Sequence, residues 1–293
     1  MSPSLALGQP RPWPAPGKLN LFLHVVGRRP DGYHLLQTAF QFIDLCDELT
    51  FWQRPEGVIE RVGETTGVPA ASDLALRAAR SLAARHGVRA GVGIELRKRL
   101  PIQGGVGGGS SDAATVLIAL NRLWRLDLSA DVLAEIGLEL GADTPVFVRG
   151  RAAWGEGIGE RLTPAEFPCP AYLLVQPDVA IATAELFQAP ELTRDSPILT
   201  MAGFLRTGGR NDFEPVVRRR YPAVADALDW LAQVAPARLT GTGSCVYAAM
   251  PDERTARGTL ARLPAHWRGY VVRGLNRSPL LERLRLEENG TAD

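Results

Sequence analysis

Apolar and polar positions along this chain fall into two rhythms. One is strand-like, with a period of two. The other is helix-like, with a period near 3.6. LNLFLHVV (residues 19–26) is a β-prone run broken only by Asn20 and His24, and RRPDGYH (28–34) carries Pro-Asp-Gly turn chemistry. LLQTAFQFIDLCDELTFW (35–52) and EGVIERVG (56–63) read as further strands, which together predict a largely antiparallel sheet. The rhythm then changes. Leu74, Ala78, Leu82 and Arg85 keep helical spacing behind the cap candidates Ser72 and Asp73, predicting a helix over 72–86. A strand at 91–99 leads into a glycine-rich stretch. Val116, Leu117, Leu120, Leu123 and Trp124 then predict the buried face of a helix, and Ser129 opens another over 129–140. Residues 141–162 read as a return to strands.

A second half begins near residue 165. Residues 170–177 form a buried strand pattern, with helices predicted at 183–189, in two pieces across 212–235 broken at Pro222, and at 252–262. A strand at 268–273 precedes a tail, and residues 1–16, rich in proline, read as an irregular lead-in. Strands in each half with helices segregated between them predict an α+β fold. The expected division is 1–164 and 165–293.

Composition narrows the function. The chain has 293 residues, 45% apolar and 22% charged, with a net charge of +1. That excludes a polycation held on nucleic acid or lipid by bulk charge. Among 33 basic residues only Lys18 and Lys98 are lysine. Where lysine persists in an arginine-rich chain, a compact ammonium is a candidate requirement. Cys46, Cys169 and Cys245 have no metal or disulfide spacing, and His24, His34, His86 and His266 are scattered. Neither a signal peptide nor a membrane span is read, so a cytoplasmic protein is expected, without a membrane or nucleic-acid partner.

GGVGGGSSD (104–112) carries the chemistry. Successive glycines let several backbone amides point at one centre, and the helix that follows offers its N-terminal amides to an anion. This is a polyphosphate cradle. It is not a Walker A loop, because Ser110 stands where that motif needs lysine. The dinucleotide fingerprint likewise meets Ser110 where its last glycine belongs. Lys18 lies at the entrance to the first main strand, and Asp143 lies in LGADTPVF between a helix and a strand. Each has a plain reading, as a surface lysine and as a helix-end hydrogen-bond acceptor. Paired, they could orient an alcohol and take its proton as it attacks a phosphate in the glycine loop.

Three ordered blocks, PAPGKLNLFLHV, LPIQGGVGGGSSDAA and RLTGTGSCV, resemble the three motifs of the GHMP small-molecule kinases. The resemblance runs from about residue 12 to Leu280. It implies a ribosomal-protein-S5-like N-terminal lobe, a ferredoxin-like C-terminal lobe and a site between them. KLNLFLHVVGRRPDGYHLLQTAFQFIDLCDEL and LGADTPVFVRGRAAWGEGIGERL resemble, more narrowly, the branch acting on a cytidine-diphosphate-linked methylerythritol. The implied reaction moves the γ-phosphoryl of ATP to the 2-hydroxyl of that small molecule, with magnesium. A GHMP kinase for homoserine or mevalonate is the neighbouring alternative, and a non-catalytic nucleotide-binding protein the more distant one.

By motif position Lys18 and Asp143 take the catalytic places. ATP falls to Pro101, Ile102, Gln103, Gly104, Gly105, Val106, Gly107, Gly108, Gly109, Ser110 and Ser111, with Lys98 near the nucleoside. Asn20 would meet the polyol. Tyr33, His34, Thr183 and Phe187 would form the cytosine pocket. Ser110 or Ser111 could offer magnesium a hydroxyl, but no carboxylate cage is visible. GTGS (241–244) would support the loop. Asp73 stands where relatives often carry asparagine near adenine. A monomer or homodimer is expected.

Overall fold

The computed structural model describes residues 11–63 and 72–289. The first ten residues of the expected lead-in, and residues 290–293 of the tail, lie outside them. β1 (Trp13–Arg28) and β2 (His34–Arg54) form a long antiparallel hairpin around the Pro-Asp-Gly turn. The lead-in expectation is corrected here, because strand pairing starts at Trp13 and includes Pro14 and Pro16. Proline is tolerated because, among the described residues, β2 is the only strand paired with this end of β1, so the missing N–H groups cost no ladder bond on a second side.

β3 (Ile59–Val62) lies parallel to β4 (Gly91–Arg97), and β4 pairs antiparallel with β2. Between them runs α1 (Leu74–His86). Its N-cap Asp73 accepts hydrogen bonds from the amides of Ala75 and Leu76, and Gly87 ends it at φ 63°. α2 (Gly108–Leu123) and α3 (Ala130–Leu140) match the expected helices, the latter capped by Ser129. α4 (Thr144–Arg149) corrects the strand expected after residue 141. Its Val-Phe-Val run looks strand-like, but Pro145 in the first turn and left-handed Gly150 at the end bound a helix whose apolar residues enter the core.

β5 (Ala153–Glu156) and β6 (Arg161–Pro164) close this half against β2. In the second half β7 (Ala171–Gln176), β8 (Ala237–Leu239), β9 (Val246–Met250) and β10 (Arg268–Leu275) form an antiparallel sheet. It is joined by α5 (Thr183–Gln188), α6 (Met201–Thr207), α7 (Glu214–Arg220), α8 (Pro222–Ala232) and α9 (Glu253–Leu260). Gly274 and Leu275 of β10 also pair with Ile43 and Phe42 of β2, so one sheet runs through both halves. α6 and α10 (Pro279–Asn289) have no counterpart in the expected elements.

The first core lies between β1, β2 and β4 and helices α1 to α4, and it receives Leu280 from α10. The second lies between β7 and β9 and helices α5, α7 and α8. The architecture is α+β, as the strand and helix order implies. Among the described residues no helix is long and apolar enough to cross a membrane.

Candidate active site

The glycine loop joins β4 to α2, and packing fixes its shape. Gly105 and Gly107 have φ of 73° and 74°, a region open to glycine at no steric cost. A Cβ on Gly105 would stand 2.3 Å from the Thr240 carbonyl oxygen, and one on Gly104 would stand 2.6 Å from Cys245 Sγ. The GTGS turn is therefore pressed against the loop. The amides of Ser244 and Cys245 donate to the carbonyls of Gln103 and Gly104, both at 3.2 Å, while the Lys18 amide donates to Val106 at 3.0 Å. Gly108 and Gly109 are freer, with nearest Cβ neighbours at 3.3 and 3.4 Å. α2 has no side-chain cap, so its first amides remain available to an anion.

Two clefts meet at this loop. One, of about 500 Å³, runs from Gly105 and Ser110 past Lys98 to Asp73 and Arg61. The other, of about 330 Å³, lies between the β1–β2 hairpin and the C-terminal half. Gly105, Gly107 and Ser110 line both.

Lys18 stands at that junction. It is 3% exposed, and its Nζ lies 3.3 Å from Asp143 Oδ2. It donates to Asn20 Oδ1 at 2.5 Å and to the Gly105 carbonyl at 3.1 Å. Asp143 immediately precedes α4 but makes no capping bond, which leaves its carboxylate free to face the ammonium. The helix-end reading of Asp143 is thereby replaced by a cleft-facing one. Asn20, on the same face of β1, donates from Nδ2 to Thr38 Oγ1 at 2.9 Å, and Thr38 donates on to the Phe22 carbonyl.

Other expected site residues divide. Thr183 and Phe187 line the smaller cleft, where Thr183 Oγ1 lies 2.8 Å from Thr242 Oγ1. Tyr33 does not. It is 59% exposed on the hairpin turn, beside Arg29, because the Asp31-Gly32 turn directs it outward. His34 is buried behind the cleft, its ring centre 5.1 Å from that of Phe187. Arg194 Nε donates to His34 Nε2 at 3.1 Å, and its other nitrogens hold the carbonyls of Phe187, Ala189 and Leu192. Burial first, then the Arg194 and Arg28 charges, pull the His34 pKa below its ordinary value, which leaves a neutral ring accepting at Nε2.

Pro101 through Ser110 line the larger cleft, but Ser111 does not. Its hydroxyl is buried without a partner, because the second residue past the glycines turns into the core face of α2. Lys98 lines the cleft while bound to Asp47 Oδ2 and, at 2.8 Å, Asp112 Oδ2. Burial alone would lower its pKa, but the two carboxylates outweigh that and raise it. Burial pushes the Asp112 carboxyl up to about 7. Asp73 reaches the far end of the cleft, paired with Arg61. Sequence reading did not select Arg61 or Arg194, nor Thr38 and Phe40, which line the smaller cleft, the Phe40 ring centre 5.7 Å from Lys18 Nζ. The last two sit inside an apolar strand and give no signal apart from core packing.

Among the described residues no group of three or more His, Cys, Asp or Glu side chains could hold a metal ion. A magnesium ion carried mainly by phosphate oxygens still fits, with the Ser110 hydroxyl at the meeting of the two clefts.

A phosphate cradle opposite a lysine–aspartate pair, on this α+β frame, agrees with what comparison with known proteins finds. The GHMP kinases N terminal domain matches residues 73–151, and the GHMP kinases C terminal domain matches 198–269. The chain belongs to the GHMP kinase family, whose members are small-molecule kinases. Within it, the 4-diphosphocytidyl-2-C-methyl-D-erythritol kinase of Nitrosococcus oceani is 57% identical over 272 residues, covering 93% of this chain and 97% of its own. The enzyme of that name from Alkalilimnicola ehrlichii is 56% identical, over 95% and 96%. A crystal structure of 4-(cytidine 5'-diphospho)-2C-methyl-D-erythritol kinase superposes with a TM-score of 0.79 at 30% identity, covering 90% of this chain and 99% of that one. A mevalonate kinase structure superposes at 0.67 with 17% identity, over 91% and 100%, which is a likeness of fold.

Proposed function

We propose that this chain transfers the γ-phosphoryl of ATP to the 2-hydroxyl of 4-diphosphocytidyl-2-C-methyl-D-erythritol. The products are the 2-phosphate and ADP, on the non-mevalonate route to isoprenoid precursors. The observation that carries this reading is the Lys18–Asp143 pair, 3.3 Å apart where the two clefts share Gly105, Gly107 and Ser110. A nucleotide seated in the larger cleft with its phosphates on the α2 amides points its outermost phosphorus at that junction. An alcohol entering through the smaller cleft reaches it from the other side.

Asp143 receives or aligns the hydroxyl proton. Lys18 orients Asp143 and stabilises charge on the phosphoryl oxygens in flight. Asn20, fixed by Lys18 and Thr38, faces the polyol. Phe187 and Thr183 line the cytidine end, and His34 supports Phe187 from behind. When bound, magnesium supplies charge neutralisation between the β- and γ-phosphates, and Ser110 is the side chain that would hold it. The proposed division of the lobes falls at residues 164 and 165, between β6 and β7, with α10 returning to the first core.

The enzyme acts on this small molecule in the cytoplasm, as a monomer or homodimer. Of the basic run Arg218–Arg219–Arg220, Arg218 pairs with Glu214 and Asp229, and Arg220 pairs with Glu191, which supports a reading without nucleic acid. The test is ADP release with the cytidylylated substrate against free methylerythritol and mevalonate, with the phosphorylated position read by 31P–13C NMR. Turnover confined to the cytidylylated alcohol, with phosphate on the 2-oxygen, is expected. Equal turnover of free methylerythritol would refute the cytidine end of the site.

A further inference from the structure

A third cavity, of about 400 Å³, lies on the opposite face of β1 from the active site. Strand alternation explains its position. Lys18 and Asn20 point into the cleft, and Leu21 points into this cavity. Its walls include the rings of Phe167, Tyr172, Phe204 and Tyr247, all less than 9% exposed, and Leu205 stands at its mouth, 56% exposed. The tyrosine hydroxyls are already committed. Tyr172 donates to Gln41 Oε1 at 2.7 Å and Tyr247 to the Asn20 carbonyl at 3.1 Å. What they offer the cavity is ring surface.

One cation interrupts this lining. Arg238 Nη1 donates to the carbonyls of Leu21 and Gly209, at 2.9 and 2.8 Å. Both acceptors are neutral, and no carboxylate among the described residues pairs with the guanidinium. Glu214, near its neighbour Leu239, is spent on Arg218 at 3.2 Å. A half-buried guanidinium without a counter-charge, in a mostly apolar cavity, attracts an anion more strongly than the same group would in water. A pocket of this size, with apolar walls and one placed charge, has the anatomy of a small-molecule site.

We infer that this cavity binds a small amphipathic anion, with its apolar body among the aromatic rings and a single carboxylate, sulfonate or phosphate on Arg238. The site is separate from both substrate clefts, and the inference does not rest on the proposed reaction.

The test uses the full chain and 8-anilinonaphthalene-1-sulfonate as fluorescent probe. The expected result is one saturable site per chain, displaced by decanoate but at least ~10-fold less effectively by decanol. Saturating ADP leaves it intact. Ala249→Trp, which fills the cavity from β9 and keeps the Arg238 charge, and Arg238→Gln, which removes the charge, should each weaken binding by ~10-fold or more. Thermal melting checks that each variant is folded, and Ala249→Trp carries the test if Arg238→Gln is not. No saturable site, displacement by ADP, equal potency of decanol and decanoate, or unchanged binding in folded Ala249→Trp would each overturn the inference.

Discussion

Asp143→Asn separates catalysis from stability more cleanly than any other change in the site. The substitution is nearly isosteric. Asp143 makes no capping bond, and its side chain is 35% exposed, so the electrostatic contribution of its pair with Lys18 to folding is screened by solvent. A pair of that kind contributes ~1 kcal/mol or less, which moves Tm by only ~2–4 °C in a chain of this size. Transition-state stabilisation is another matter. An amide cannot accept the hydroxyl proton, and loss of a positioned base costs about 10²–10⁴-fold in kcat. At about 1.36 kcal/mol per decade that is about 2.7–5.5 kcal/mol of barrier, well above the folding term. The assay is coupled ADP release at saturating ATP and alcohol, beside a thermal melt. The expected outcome is a kcat loss in that range with KM for both substrates little changed. A kcat within about threefold of the parent, or a loss explained by a parallel fall in Tm, would show that the carboxylate at this junction does not act on the hydroxyl.

Other outcomes follow from the same geometry. Gly105→Ala forces a Cβ to 2.3 Å from the Thr240 oxygen at a φ of 73°, and should cost ~2–4 kcal/mol in urea unfolding. Gly109→Ala meets nothing closer than 3.4 Å and should stay within ~1 kcal/mol while raising the KM for ATP. Lys98→Met leaves Asp47 and Asp112 facing each other without their cation and should cost ~3–5 kcal/mol. Adding Asp112→Asn should restore part of that, and a double variant no more stable than the single would contradict the cluster. His34 has a folded-state pKa below its ordinary value of 6.5, so its contribution to stability is complete above pH 6.5 and is lost as the pH falls through the folded value. Over that same fall, protonation at Nε2 breaks the bond from Arg194, and KM for the cytidylylated alcohol should rise. Arg194→Gln should move that inflection upward, and an unmoved inflection would dissociate the two residues.

Periodicity made most of the fold legible, and the glycine motif located the phosphate cleft. Both rest on local physics: α1 and α3 have their own caps, and the β1–β2 turn has its own Pro-Asp-Gly. Misreadings occurred where distant partners decide. Pro14 and Pro16 enter a strand because that end of β1 pairs with β2 alone among the described residues, and the Val-Phe-Val run of α4 is helical because the core receives its apolar side chains, between the local stops Pro145 and Gly150. In the site, the loop glycines were legible as a cradle, whereas support from the GTGS turn was implied only by the family resemblance, and its contacts through Thr240, Gly243 and Cys245 had no local signal. Gly105 and Thr240 stand 135 residues apart in the chain. Tyr33 and His34 are adjacent in sequence and end in different surroundings, one in solvent and one behind Phe187. Arg194 carried no signal at all. It belongs to no periodic face, and its importance lies in the four acceptors that tertiary structure gathers around it.

The two lysines show how a compositional oddity becomes geometry. A guanidinium holds its five donors in one plane, whereas an ammonium directs three donors to three separate directions from a single atom. Lys18 Nζ meets Asn20, Gly105 and Asp143, which come from a strand, a loop and a helix entrance. Its Cε lies 3.1 Å from where a Cβ on Gly107 would stand, so the lysine stem takes this path because Gly107 has no side chain. Lys98 Nζ likewise joins Asp47 of β2 to Asp112 of α2 and still borders the larger cleft. From this geometry, charge alone should be insufficient at Lys18. Lys18→Arg keeps the charge but loses the fit, and kcat should fall by ~10²-fold or more, close to the loss in Lys18→Met. Should Lys18→Arg instead retain most of the parent rate while Lys18→Met loses it, a diffuse positive charge suffices at the junction, and the three-way fixing of one ammonium is not what aligns Asp143 with the phosphoryl group.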